Sequence, residues 1–344
     1  MQKLTVDVHP DNQVYLKTGV ANIRIQTWVV IIGMLLLAAK FIAYLLTHSN
    51  AILTDALESI VNVVAGGIGL YSLHLSAKPR DADHPYGHGK IEFISASIEG
   101  AMVLFAGLII IGKSIYSLFY PQTLHDLDIG IFIILLTAVI NFGLGLLCVR
   151  QGKKSDSLAL TSSGEHLKSD SYSTLGIIAA LILIYFTGYK VFDNIIAIGM
   201  GTFICVTGYQ VLRRAIAGIM DEADYDLLRK IIFQLNLERH QEWVDMHNMR
   251  VIKYGNVVHI DCHLTLPWYI SVRDAHDQVS SVDDSIKKDL ENPVELFIHT
   301  DACLPPVQCK ICIMEHCSVR EAPLEKKVDW NLETSLQNKK HGFD

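Results

Sequence analysis

Charge is scarce in this chain, and basic charge scarcer still. Asp, Glu, Lys and Arg make up 19% of its 344 residues, where an ordinary soluble domain carries about 25%. Lys and Arg number 29 against 36 Asp and Glu, a net charge of -7. With no strongly basic face, nucleic acid is excluded as a partner. No HExxH-type pair is present, which leaves an intramembrane metallohydrolase without its general base. No internal repeat stands out. The N-terminus lacks a basic stretch followed at once by a short apolar run. A cleavable signal peptide is therefore not expected, and the first apolar span is expected to act as the targeting signal.

What the chain does have is apolar length. Half of its residues are hydrophobic and its mean hydropathy is +0.30, too high for a soluble enzyme of this size. Segments of roughly 20 residues or more, enough to cross a bilayer, are expected near Thr27–Leu46, Ala51–Leu75, Phe93–Phe119, Leu127–Val149, Leu158–Phe186 and Val191–Leu212. The fifth starts with the polar run TSSGEHLKSDSYS, which a hydropathy window misses or shortens. Basic residues cluster before span one (Lys3, Lys17, Arg24), between spans two and three (Lys78, Arg80, Lys90), after span four (Arg150, Lys153, Lys154) and after span six (Arg213, Arg214). The alternate loops are poor in them, which puts both termini in the cytoplasm.

Beyond Arg214 the periodicity changes. Tyr225–Leu237 reads as an amphipathic helix. Met249–Lys253 and Val257–Leu266 read as strands joined at Gly255-Asn256, Val272–Leu290 as a helix and Val294–His299 as a strand. The fold class is therefore six transmembrane α-helices followed by a cytosolic α+β domain of order αββαβ, a metallochaperone or ferredoxin-like arrangement. The expected divisions are a cytoplasmic N-terminal segment (1–23), a transport domain (24–214), a cytosolic metal-binding domain (215–302) and a flexible, Cys-containing tail (303–344).

Ionisable groups inside apolar spans are expensive and need each other, water or a cation. Glu58 and Asn62 lie four apart in span two, and His166 and Asp170 four apart in span five, so each pair shares a helical face. The two spans run in opposite directions. Packed side by side, they bring three oxygen donors and one nitrogen to one level. That set suits Zn2+ and accepts Mn2+, Fe2+ or Co2+. Asp55 lies on the same face and could replace one ligand or attract cations at the outer mouth.

Other ligand types gather elsewhere. The loop RDADHPYGHGK offers Asp81, His84 and His88, which can turn inward around a cation. On the strands, His259, Asp261 and His263 alternate on one face, as do His299 and Asp301. His247 precedes the hairpin and His276 lies on the second helix, and together these suggest a cytosolic metal site. Of seven cysteines, Cys148, Cys205 and Cys262 sit in apolar segments and are read as packing residues. Cys303, Cys309, Cys312 and Cys317 surround a CKIC core, which could close a structural Zn2+ site.

TDALES in span two, HPYGHGK after it and HLKSD in span five, in that order over six spans and an αββαβ domain, resemble the cation diffusion facilitator family of divalent-metal/proton antiporters, its zinc exporters in particular. The resemblance runs from about Thr27 to Asp301. It implies a homodimer, with one transport site per protomer at Glu58, Asn62, His166 and Asp170. It also implies a loop site at Asp81, His84 and His88, and a cytosolic site at His247, His263, His276, His299 and Asp301. Lys90 matches a lysine that pairs with an acid after span six, here Asp221, holding the membrane halves of the dimer together. Family zinc exporters commonly carry Asp or His, then Asp, where this chain has Glu58 and Asn62.

The function expected is efflux of a divalent cation, Zn2+ foremost, in exchange for protons and by alternating access. The chain would be a transporter and not an enzyme, with divalent ions, protons and the lipid bilayer as partners. The membrane expected is a bacterial inner membrane. The rival from another class is a membrane-anchored metal sensor or store that transports nothing and has no need of His166 or Asp170.

Overall fold

A computed structural model describes residues 11–47, 50–119, 128–187, 191–255, 257–288, 290 and 292–342, with side chains described outside 11–18, 43–44, 46–58, 61, 128–134 and 177–193. The chain forms two compact units, 1–220 and 221–344.

The first unit is six long helices: α1 (Asp11–Thr47), α2 (Asn50–Ser76), α3 (Ile91–Phe119), α4 (Asp128–Lys154), α5 (Leu158–Thr187) and α6 (Val191–Ile219). Among the described residues four stretches, Gly19–Ile42, Ile91–Phe119, Leu135–Lys154 and Asn194–Ile219, are long and apolar enough to cross a membrane by themselves. Helices α2 and α5 carry polar residues among their apolar ones. On α5, Thr161, Ser162, Ser163, His166, Ser169 and Ser171 are all buried, so its polar residues face neighbouring helices.

Glycines set the approach of those neighbours. A Cβ on Gly100 would lie 2.8 Å from the Leu212 nitrogen, and one on Gly107 would lie 2.8 Å from the Gly201 oxygen. The helices α3 and α6 therefore meet backbone to backbone, as small residues allow in membranes. Gly145 and Gly164 do the same for α4 and α5, each Cβ falling within 2.9 Å of the other's carbonyl oxygen. That contact fixes α5 two residues before His166.

The second unit contains α7 (Tyr225–Leu237), β1 (Asp245–Tyr254), β2 (Val257–Leu266), α8 (Val272–Lys287) and β3 (Val294–Ala302). The sheet order is β1-β2-β3, with β2 antiparallel to β1 and parallel to β3. Gly255 takes the hairpin's positive φ, 67°, which a side chain resists; its turn partner Asn256 lies outside the described residues. Leu228, Ile231 and Leu235 of α7 and Val282 and Ile286 of α8 pack on Met249, Ile260 and Leu264 of the sheet.

Asp224 caps α7, accepting from the Leu227 N–H at 3.0 Å, and lies 3.1 Å from the Lys253 ammonium. Burial opposes ionisation of its carboxyl, but the Leu227 N–H and Lys253 outweigh that and hold it below the ordinary range. Replacing Asp224 with Ala is expected to cost about 1 kcal/mol of stability, read from thermal unfolding of the full chain. Because the folded value is depressed, the contribution is present above about pH 4 and is lost as pH falls through the folded value. An Ala variant as stable as wild type at neutral pH would remove Asp224 from this role.

The segment after β3 differs from the flexible tail expected. It holds a 3-10 turn at Gln308–Lys310 and a short helix α9 (Leu332–Ser335). Ile311, Cys312, Val328 and Trp330 join the core of the sheet domain. The Trp330 ring stacks on Trp243 at 6.5 Å, with the Arg239 guanidinium 3.9 Å from its centre. The mean composition of the tail is polar, but a few spaced apolar anchors are enough to dock it on a core that already exists.

Candidate metal centre

On facing sides of α2 and α5, the side chains of Asn62, His166 and Asp170 meet. His166 Nε2 lies 2.9 Å from Asn62 Oδ1 and 3.8 Å from Asp170 Oδ2. The Asn62 amide donates to Asp170 Oδ2 at 2.5 Å. The His166 side chain is 8% exposed and that of Asp170 34%, a buried nitrogen beside a carboxylate with an opening. With Asn62 Nδ2 turned to Asp170, its Oδ1 faces His166, which must then donate through Nε2–H. The same Nε2 lone pair is what a cation needs, so proton and metal compete for one atom. The Glu58 and Asp55 side chains lie outside the described residues.

Two polar groups near this site carry no motif. Lys40 of α1 is 5% exposed and donates to Ser59 of α2 at 2.8 Å. It lines a small cavity with Asn62, Asn141 and Leu167. Gln26 of α1 is fully buried and donates to the Gly66 carbonyl and to Ser163, both at 3.1 Å. Their only signal in the sequence is a polar residue inside an apolar run.

The loop between α2 and α3 folds around Asp81. Its Oδ1 accepts from the His84 N–H at 2.7 Å and lies 2.9 Å from His84 Nδ1; its Oδ2 lies 3.4 Å from His88 Nε2. The His84 hydrogen bond holds the Asp81 carboxyl below the ordinary range, against a smaller effect of desolvation. Ligand atoms of Asp81, His84 and His88 all lie within 4.8 Å of one another.

In the second unit the register places His247, His263 and His299 side by side on β1, β2 and β3. Adjacent rings in the row lie 5.0 and 4.7 Å apart. A bulge between His247 and Arg250, with Asn248 at φ 52°, accompanies the turn of β1 here. Asp301 Oδ2 lies 3.2 Å from His263 Nδ1 and 3.6 Å from His247 Nε2. Ligand atoms of His247, His263 and Asp301 lie within 4.8 Å of one another. His299 is at the margin, 3.7 Å from Asp301 Oδ1, and His276 is exposed on α8 apart from the cluster. This donor set fits a divalent ion; His247 Nδ1 lies 3.4 Å from Asp245 Oδ2, which leaves its Nε2 on the Asp301 side.

The tail reaches the same place. The Lys340 ammonium lies 2.8 Å from Asp301 Oδ1. Burial opposes ionisation of Asp301, but Lys340 and His263 prevail and keep its carboxyl below the ordinary range. His341 holds buried Asp245, two residues before His247, at 2.7 Å. His259, by contrast, turns to Asp261 and Glu295, at 3.3 and 3.5 Å. The four tail thiols are free, and no three of their sulfurs lie within 4.8 Å of one another among the described residues. Lys90 lies just before α3, and Asp221 opens the second unit with φ 55°.

Long apolar helices thus surround a polar contact of three residues, and a small sheet domain follows them in the chain. Residues 27–220 match the cation efflux transmembrane domain, and residues 221–303 match the cytoplasmic domain of cation efflux proteins, by which they dimerise. The chain belongs to the cation efflux family of divalent-cation transporters. An uncharacterized transporter of Synechocystis is 31% identical over 247 residues, covering 72% of this chain and 80% of the relative. The cation-efflux pump FieF of Shewanella oneidensis is 25% identical, covering 79% and 90%. Metal tolerance protein C1 of Arabidopsis thaliana is 27% identical, covering 88% and 67%.

Proposed function

We propose that this chain exports Zn2+, or a divalent cation of similar ligand preference, from the cytoplasm in exchange for protons. It would work as a homodimer in a cell membrane, with both termini cytoplasmic. The observation that carries the reading is the contact of Asn62, His166 and Asp170 across α2 and α5. An amide oxygen, an imidazole and a carboxylate favour zinc among borderline ions and admit Mn2+, Fe2+ and Co2+. Glu58, one turn from Asn62, is the remaining ligand in this reading. The names of two relatives, a cation-efflux pump and a metal tolerance protein, support the direction of transport.

The cycle follows from the competition at His166. Cytoplasmic metal displaces the Nε2 proton and turns the Asn62 oxygen and Asp170 inward around the ion. After the change to an outward-open state, protons reclaim His166 and the carboxylates, and the ion leaves. In proteoliposomes holding a zinc-sensitive dye, an imposed pH gradient is expected to drive Zn2+ across. Flux independent of that gradient would contradict the exchange.

His247, His263 and Asp301 would hold a resident divalent ion that braces the sheet domain, with His299 at its margin as a further ligand. Lys340 occupies the carboxylate this ion needs. Lys340→Gln is therefore expected to tighten Zn2+ at that cluster about two- to fivefold, measured by competition with a zinc indicator in an Asp170→Asn background. Unchanged or weakened binding would show that the lysine does not compete.

A further inference from the structure

Two carboxylates of α3 face α5 from within the bundle. Glu92 and Glu99 are seven residues apart on one helix face, with 7% and 1% exposure. Glu92 accepts from Ser157 and, at 2.9 Å, from Ser76. Glu99 accepts from Ser162 at 2.6 Å and from Ser163 at 2.8 Å. Gln26 of α1 donates to the same Ser163 hydroxyl. A Cβ on Gly69 of α2 would come 3.0 Å from Glu99 Oε1, so the α2 backbone closes the pocket.

The partners of Glu99 are hydroxyls. Among the described residues no Lys or Arg pairs with it, and the titratable groups it interacts with are His166 on α5 and buried Cys148 on α4; α1 and α2 face it with the Gln26 amide and with backbone. An ionised carboxylate so deep in an apolar span costs several kcal/mol unless a cation or proton accompanies it, and two hydroxyl hydrogen bonds offset only part of that. A purely packing role would be served by Gln. Ser162 and Ser163 stand one turn of α5, about 5.4 Å, before His166, so charge at the metal centre is felt at Glu99.

We propose that Glu99 is a proton-carrying carboxylate of the exchange, one turn to the cytoplasmic side of the metal centre. With no ion at His166 and Asp170, the carboxyl keeps its proton. A divalent ion there stabilises the carboxylate: the O–H bond breaks, and the proton passes to water on the cytoplasmic side, along the Ser157–Glu92–Ser76 side of the bundle. Once the ion has left outward, a proton entering by His166 restores the acid. No redox partner is involved. The inference rests on the exchange proposed above and adds a second site to it.

The test counts protons released per Zn2+ bound by the full-length protein in weakly buffered detergent solution. Glu99→Gln keeps the shape and the hydrogen bonds to Ser162 and Ser163 but has no acid proton. It is expected to bind Zn2+ at the transport site within about threefold of wild type, to release about one proton fewer per ion and to show a flattened response of flux to the pH gradient. Glu99→Asp is expected to restore the count. Wild-type proton release from Glu99→Gln overturns the proposal. Wild-type protein that releases no proton and ignores the gradient overturns the exchange itself. Should the Gln variant not fold, infrared difference spectra of wild type still decide: Zn2+ must remove a protonated-carboxyl band that shifts in Glu99→Asp, and a spectrum without that loss refutes the role.

Discussion

Replacing Asp170 with Asn is expected to cut Zn2+ flux at least about a hundredfold in a protein that still folds and dimerises. Asp170 is the carboxylate that meets both His166 and the Asn62 amide. Taking one charge from a partly buried set costs about 3 kcal/mol or more, because the ion's charge is left unbalanced. Asn keeps the volume and a hydrogen bond to Asn62, so misfolding does not account for the loss. The sheet-domain cluster stays intact in this variant, and it should still bind Zn2+ there. Flux of Asp170→Asn equal to wild type would leave a metal-binding membrane protein with no role for the α2–α5 contact.

Replacing Trp330 with Ala is expected to cost about 3–5 kcal/mol and to lower the melting of the second unit by about 10 °C or more. Trp330 is 3% exposed, its ring lies against Trp243 and Arg239, and its carbonyl accepts from Asn236 at 2.7 Å. Truncation would open a cavity and strip the Arg239 guanidinium of its aromatic partner. Residues 303–342 should then become protease-sensitive in the full chain. A variant that melts like wild type, with a protected tail, would mean that the Trp330 anchor does not hold the tail.

Periodicity made much of the sheet domain legible. The limits of α7 and β2 match the expected segments, because their apolar residues alternate or recur cleanly and turn residues bound them. β1 begins at Asp245 and not Met249, since pairing with β2 extends it through the bulge and brings His247 into the ladder. Four-residue spacing placed His166 and Asp170 on one face of α5, and Asn62 of α2 meets both.

What could not be read depended on distant partners. Ser162 and Ser163 look like a break in hydrophobicity until Glu99 is seen against them. Lys40 looks out of place in an apolar span until Ser59 is found beside it. Lys340 and His341 belong to a polar terminus, and nothing local says that they end on Asp301 and Asp245. The tail was misjudged for the same reason. Average composition weighs every residue alike, whereas docking turns on Ile311, Val328 and Trp330 alone.

The most direct measurement is anomalous scattering at the zinc edge from crystals of the full-length protein grown with Zn2+. A peak is expected between α2 and α5, within bonding distance of His166 Nε2 and an Asp170 oxygen and beside Asn62. Zinc found only at the histidines of the sheet domain or at the Asp81 loop, with none between those two helices, would contradict the account.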